Sequence, residues 1–120
     1  MKIPIIKYSD KFLNAISLFT RVGGITLYPF IILREKYIDH PWYVKRGIIT
    51  VNHESIHIKQ QAELLVILFY LWYVIEWFIR LFLKGNAYRN ISFEREAYEN
   101  KDNSEYLKKR KLFSFLKYIY

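Results

Sequence analysis

The sequence predicts a single α+β domain, mostly helical, with a small sheet at one edge. Three observations carry that expectation. A chain of 120 residues that is 52% apolar has material for one hydrophobic core and no more. The run Ile25 to Leu33 is β-branched and aromatic, and follows Gly23-Gly24. From residue 52 onward, long apolar stretches alternate with capping residues and are interrupted only at Gly85-Asn86, the pattern of packed helices.

Taken in order, residues 1–24 form an N-terminal unit whose short helix starts at Ser9 or Asp10 and runs through Phe19. Residues 25–51 read as short strands. Ile25 to Leu33 is one of them, and Pro29 inside it calls for an edge or a bulge. Asp39-His40-Pro41 marks a turn, and Tyr43-Val44 and Ile48 to Val51 are further short strands around Gly47. Thr50 or Asn52 then caps a helix, and residues 52–84 hold that helix and an apolar helical hairpin. Residues 90–100 form a helix capped by Asn90 or Ser92. Residues 104–120 form a last helix, started by Asp102 or Ser104, with the basic run Lys108-Lys109-Arg110-Lys111 and an aromatic tail.

Composition narrows the function. The chain has no cysteine, which excludes disulfides, thiolate metal sites, iron–sulfur clusters and thiol nucleophiles. A net charge of +8 favours anionic partners. No nucleic-acid motif accompanies the basic run, so nucleic acid is disfavoured, whereas cations followed by aromatics suit peripheral contact with a membrane. Ile3 to Ile6 is too short for a secretory signal, and Phe12 to Phe19 leads to Arg21 rather than to a cleavage site. A cytoplasmic protein, peripheral on the inner membrane face, is the expectation.

The chemistry lies in His53-Glu54-Ser55-Ile56-His57. On a helix, histidines at i and i+4 project from one face, where two imidazoles can hold one zinc ion. Glu54 beside them is placed to take the proton of a water that the metal acidifies. The bland alternative is a solvated His-Glu-His face without metal. A catalytic zinc also needs a third protein ligand. Glu63 is rotated off the ligand face, and Glu76 has Arg80 at i+4 as a partner. That leaves the segment Ser92 to Glu99, in which Glu94, Ala97 and Tyr98 share one helical face and Glu96 another.

H-E-x-x-H followed by E-x-x-A on a second helix resembles the gluzincin branch of zinc metallopeptidases, and the chain is similar in length and element order to minimal members of that group. The resemblance implies a zincin-like fold, Zn2+ as cofactor, His53, His57 and Glu94 as ligands and Glu54 as general base. It further implies a metalloendopeptidase acting on a peptide or protein substrate, with Ile48 to Val51 as the strand along which substrate lies. Tyr98 stands where many gluzincins have an acidic residue supporting a zinc histidine. Tyr98, Tyr88, Arg89 and His40 are the candidates for oxyanion or supporting roles. The alternative is a membrane-associated structural or binding protein with a vestigial zinc site.

One distance constrains the apolar stretch. A straight helix from His57 to Lys84 would carry the chain about 40 Å away. The ten residues from Gly85 to Glu94 span at most about 33–36 Å fully extended. The helix must therefore break, with the break expected between Leu68 and Val74, an antiparallel return, and Glu76 paired with Arg80 at a polar edge.

Overall fold

The computed structural model describes residues 4–16, 23–39 and 44–120. It is helix-rich with one three-stranded sheet, so the α+β class holds. The elements are β1 (Ile5–Tyr8), α1 (Asp10–Ile16), β2 (Gly24–Leu27), β3 (Phe30–Leu33), α2 (Lys36–Asp39), α3 (Val44–Glu63), α4 (Ile67–Arg80), α5 (Ser92–Asn100) and α6 (Tyr106–Lys109), followed by a 3₁₀ segment, Ser114–Tyr118.

The sheet departs from the sequence expectation. Residues 25–33 are not one strand but a hairpin. β2 and β3 pair antiparallel from Gly24↔Leu33 to Leu27↔Phe30, around a turn at Tyr28-Pro29. Proline there removes no ladder hydrogen bond. β1, which the sequence reading left inside the N-terminal helical unit, pairs parallel with β3 from Ile5↔Phe30 to Tyr8↔Leu33. The strand order β1-β3-β2 leaves β2 at an edge. α1 begins where expected, with the Ser9 hydroxyl oxygen accepting from Phe12 N–H at 3.1 Å; its expected extension to Phe19 lies outside the described residues. Of the expected turn at Asp39-His40-Pro41, Asp39 closes α2 and the other two lie outside the described residues.

The expected strand Ile48 to Val51 is helix, and so is Val44. Burial overrides β-propensity here. Gly47, Val51, Glu54 and Ile58 recur every three or four residues on the face of α3 toward the sheet and α2. Val51 and Ile58 pack with Ile31 and Leu33. Gly47 lies against Tyr37, where a Cβ would come within 3.2 Å of the tyrosine Cβ. Thr50 and Asn52 therefore cap nothing at the start of the histidine helix. The Thr50 hydroxyl donates to the Arg46 carbonyl one turn back.

The helix does break, but at Leu65 and Val66 rather than between Leu68 and Val74. Both residues have left-handed φ angles, 54° and 61°. Positive φ costs an L-residue with a side chain about 1–2 kcal/mol, and the two residues turn the axis by 112°, short of an antiparallel return. No glycine, asparagine or proline marks the turn. α4 folds back over a second core made of Leu64, Phe69, Ile91, Phe93 and Phe115. Phe93 is its centre, with ring centroids 4.5 Å from Phe69 and 4.7 Å from Phe115.

Glu76 does not pair with Arg80. Its carboxylate accepts from Trp72 Nε1 and from the Ser92 backbone N–H, each at 2.8 Å, and from the Ser92 hydroxyl. A negative charge thus caps the N-terminus of α5 from a neighbouring helix. That replaces the caps expected from Asn90 or Ser92. At the other end Asn52 Nδ2 donates to the carbonyls of Asn100, Lys101 and Asn103. Arg80 donates to the Tyr120 carbonyl at 2.6 Å. The expected continuous helix over 104–120 is interrupted at Arg110, whose backbone is extended. Its side chain leaves the basic run and enters the core.

Glu76→Ala should destabilise the fold by about 1–3 kcal/mol, because it strips buried donors of their acceptor. Arg80→Ala, which removes a hydrogen bond at the surface, should cost no more than about 0.5 kcal/mol. Urea denaturation of both variants checks this, and equal losses would restore the Glu76–Arg80 pair.

Candidate metal centre

The two histidines stand one turn apart on α3, and α5 brings Glu94 to them. His53 Nε2 and His57 Nε2 are 3.2 Å apart, and the Glu94 Oε1 atom lies 3.3 Å from the first and 3.1 Å from the second. All three side chains are buried. Three donors at bond lengths of about 2.0–2.1 Å around a tetrahedral ion are separated by about 3.3–3.4 Å. The near-equilateral triangle fits that requirement, and the group could hold a metal ion. It lies on a cavity of about 790 Å³ bounded by β2, α3, α4 and α5.

Each ligand is held by a second contact. His57 Nδ1–H donates to Gln60 Oε1 at 2.7 Å, so Nε2 is the nitrogen that faces His53 and Glu94 and that would offer a lone pair to a metal on losing its proton. The Gln60 amide is oriented in turn, because its Nε2 donates to the Phe93 carbonyl at 3.2 Å and to Glu96 Oε1 at 2.8 Å. Glu94 uses one oxygen toward the histidines, and its other accepts from the Tyr73 hydroxyl at 2.8 Å. Burial, with the adjacent Glu94 carboxylate, holds the Tyr73 pKa above its ordinary value, so the hydroxyl remains a donor. Tyr98 packs its ring edge-on to His53, 4.6 Å between centroids. His53 is thus oriented by an aromatic contact rather than by a carboxylate.

Beneath Gln60 lies a buried ionic group. Arg110 forks onto two carboxylates, reaching Glu63 from Nη1 and Nη2 at 2.6 and 3.0 Å and Glu96 from Nε and Nη2 at 2.5 and 3.1 Å. Tyr106 adds a hydrogen bond to Glu96 at 2.6 Å. Glu63 and Glu96, set aside as ligands in the sequence reading, serve here instead. Glu54 is tied to the edge strand. The Thr26 hydroxyl lies 2.5 Å from its Oε2 and 3.0 Å from its backbone carbonyl.

Of the other candidates, Tyr88 and Tyr98 line the cavity with hydroxyls 3.2 Å apart. The Arg89 guanidinium covers the Tyr98 ring at 3.8 Å. His40 lies outside the described residues. Sequence reasoning missed Thr26, Gln60, Tyr73 and Arg110. The signals were an uncharged amide three residues past His57 and a single arginine among lysines, the residue suited to bidentate carboxylate pairing. No family model, curated protein or solved structure matches the chain.

The electrostatics make a proton the metal's competitor. Burial works against charge on the His57 imidazole, but the attraction and hydrogen bond of Glu94 outweigh it, with Glu54 adding, and raise its pKa from 6.5 to about 9. Burial pushes Glu94 up, yet His57 and the hydrogen bonds from both histidines bring it below its ordinary 4.5. In the metal-free protein the His57 contribution to stability is complete below pH 6.5 and is lost as pH rises through about 9. The Glu94 contribution is present above pH 4.5 and is lost as pH falls through its lowered value.

A metal must displace the His57 proton, so affinity should rise about tenfold per pH unit between pH 7 and pH 9. Competition titration against a chelating dye measures this, and a flat profile would exclude the proton. Gln60→Leu should lower metal affinity by about 10–100-fold at fixed pH. Wild-type affinity in that variant would show that the Gln60 contact does not set the His57 tautomer.

Proposed function

We propose that the chain is a zinc-dependent hydrolase, most simply a metalloendopeptidase. The observation that carries this reading is the convergence of His53, His57 and Glu94 in one tight triangle, with Glu54 beside it. Two imidazoles and one carboxylate form a donor set suited to zinc, and three protein ligands leave a position for water or substrate.

A zinc ion bound there would supply a Lewis acid that acidifies water and polarises a carbonyl. The chain supplies the rest. Glu54 takes the water's proton and returns it to the leaving amine. Thr26 holds one Glu54 oxygen, and among the described residues the other has no hydrogen-bond partner, which leaves it for water. Tyr88 and Tyr98 offer hydroxyl donors at the cavity for the developing oxyanion. With residues 48–51 helical, β2 takes over the role of substrate strand. It is the edge of the sheet, and Gly24, Ile25 and Thr26 line the same cavity. A peptide added to β2 at Gly24 would run past Glu54, the Thr26 carbonyl being already taken by Gln61 and Tyr70.

Purified protein should contain about one zinc per chain, and His53→Ala, His57→Ala and Glu94→Ala should each lose it or bind it far more weakly. Glu54→Gln should keep the zinc while cleavage of unstructured peptides falls at least about a hundredfold. Cleavage by Glu54→Gln at the wild-type rate would remove the general base. Zinc retained at wild-type affinity in His57→Ala would remove the site.

A further inference from the structure

The distribution of polarity around α4 is the reverse of that expected for a water-facing helix. At about 100° per residue, Phe69, Trp72, Tyr73, Glu76 and Arg80 share one arc. That arc faces inward: Glu76 reaches Ser92, Tyr73 reaches Glu94, and Trp72 packs edge-on to Phe115. The remaining arc, about 200° wide, faces outward. From a margin at Trp77 it runs to Ile79 and holds Ile67, Leu68, Leu71, Val74, Ile75 and Phe78 between them, these six with exposures from 50% to 79%. The exposed apolar surface continues past the helix through Phe82, at 77%. Glu76 and Arg80 are the only charged residues between Ile67 and Leu83, and both sit on the inner arc.

We infer that the outer face of α4 seats on an anionic lipid bilayer. The width of the face selects lipid over a second copy of the chain. A packed helix covers a stripe of about 100°, about half of what α4 presents, whereas acyl chains cover an arc of any width. The length selects seating over spanning. Fourteen residues make a rod of about 21 Å, shorter than the roughly 30 Å of hydrocarbon in a bilayer. α3 leaves at 112° to it, and among the described residues no single helix is long and apolar enough to cross.

The charge selects anionic lipid. Lys84 stands just beyond the C-terminal end of the face. The tail packed beside α4, through Phe115 on Trp72 and the Tyr120 carbonyl on Arg80, carries Lys111 and Lys117 and no acidic residue from Tyr106 to Tyr120. Trp77 lies along one margin of the arc, partly exposed, as an amphipathic ring does at headgroup level. The inference stands apart from any hydrolytic activity.

The test uses the whole chain with vesicles of phosphatidylcholine, with and without phosphatidylglycerol. Wild type should sediment with the mixed vesicles and far less with the neutral ones. Leu71→Glu combined with Phe78→Glu should lower partitioning by at least about tenfold, with far-UV circular dichroism and zinc content unchanged. A measurement without substitution guards against misfolding of that variant. Brominated acyl chains should quench tryptophan fluorescence in wild type, because Trp77 borders the seated face. Wild type left in the supernatant with both vesicle types, or unquenched tryptophan, overturns the proposal. So does a concentration-dependent dimer in sedimentation velocity that Leu71→Glu and Phe78→Glu dissolve, which would assign the face to a second copy.

Discussion

The return of Glu94 to the His53–His57 face is the constraint on which the rest of the structure depends. Thirty-seven residues separate Glu94 from His57, and much of that chain is hydrophobic helix that would carry it away. The fold resolves this by bending α3 into α4 through two left-handed residues, then fixing α5 at three points. Glu76 holds its first turn, Asn52 its last, and Gln60 its middle through the Phe93 carbonyl and Glu96. Asn52 adjoins His53 in sequence, and Gln60 lies one turn beyond His57. The helix that supplies two ligands therefore also sets the position of the helix that supplies the third, and Ala97, fully buried, allows the close approach.

What was legible in the sequence was local. The i, i+4 histidines and the adjacent glutamate follow from helix geometry alone, and Glu94 followed from the E-x-x-A resemblance. The distance argument required a break, and a break is present. Its position was illegible because Leu65 and Val66 carry no turn signal, yet both adopt positive φ angles that local preference does not favour. β1 was illegible for a related reason. Four residues that pair parallel across more than twenty positions have no local signature. The β-branched run 48–51 misled because propensity is a weak prior against a face spaced for burial.

The polar network around the centre explains why several charged residues are buried without binding metal. Glu63 and Glu96 would repel each other in the low-dielectric interior, and Arg110 between them removes that conflict with a bidentate contact to each. A buried ionic group of this kind adds little net stability compared with apolar packing. Its contribution here is geometric. Glu96, held by Arg110 and Tyr106, keeps the Gln60 amide in one orientation, and that orientation decides which imidazole nitrogen of His57 carries the proton. Proton placement at the centre thus depends on a residue more than fifty positions downstream in sequence.

That separation gives the centre an order of assembly. During synthesis a chain emerges from its N-terminus. His53, His57 and Glu94 all leave the ribosome before Arg110. Until the arginine docks, Glu63 and Glu96 lack the guanidinium that holds both of them. Glu96 would then be free to turn away, and the Gln60 amide would lose its fixed sense. A chain without that contact therefore carries all three candidate ligands while the Gln60 amide beside His57 is unfixed. The segment that carries Arg110 works as a latch, coupling its own docking to the setting of the Gln60 amide.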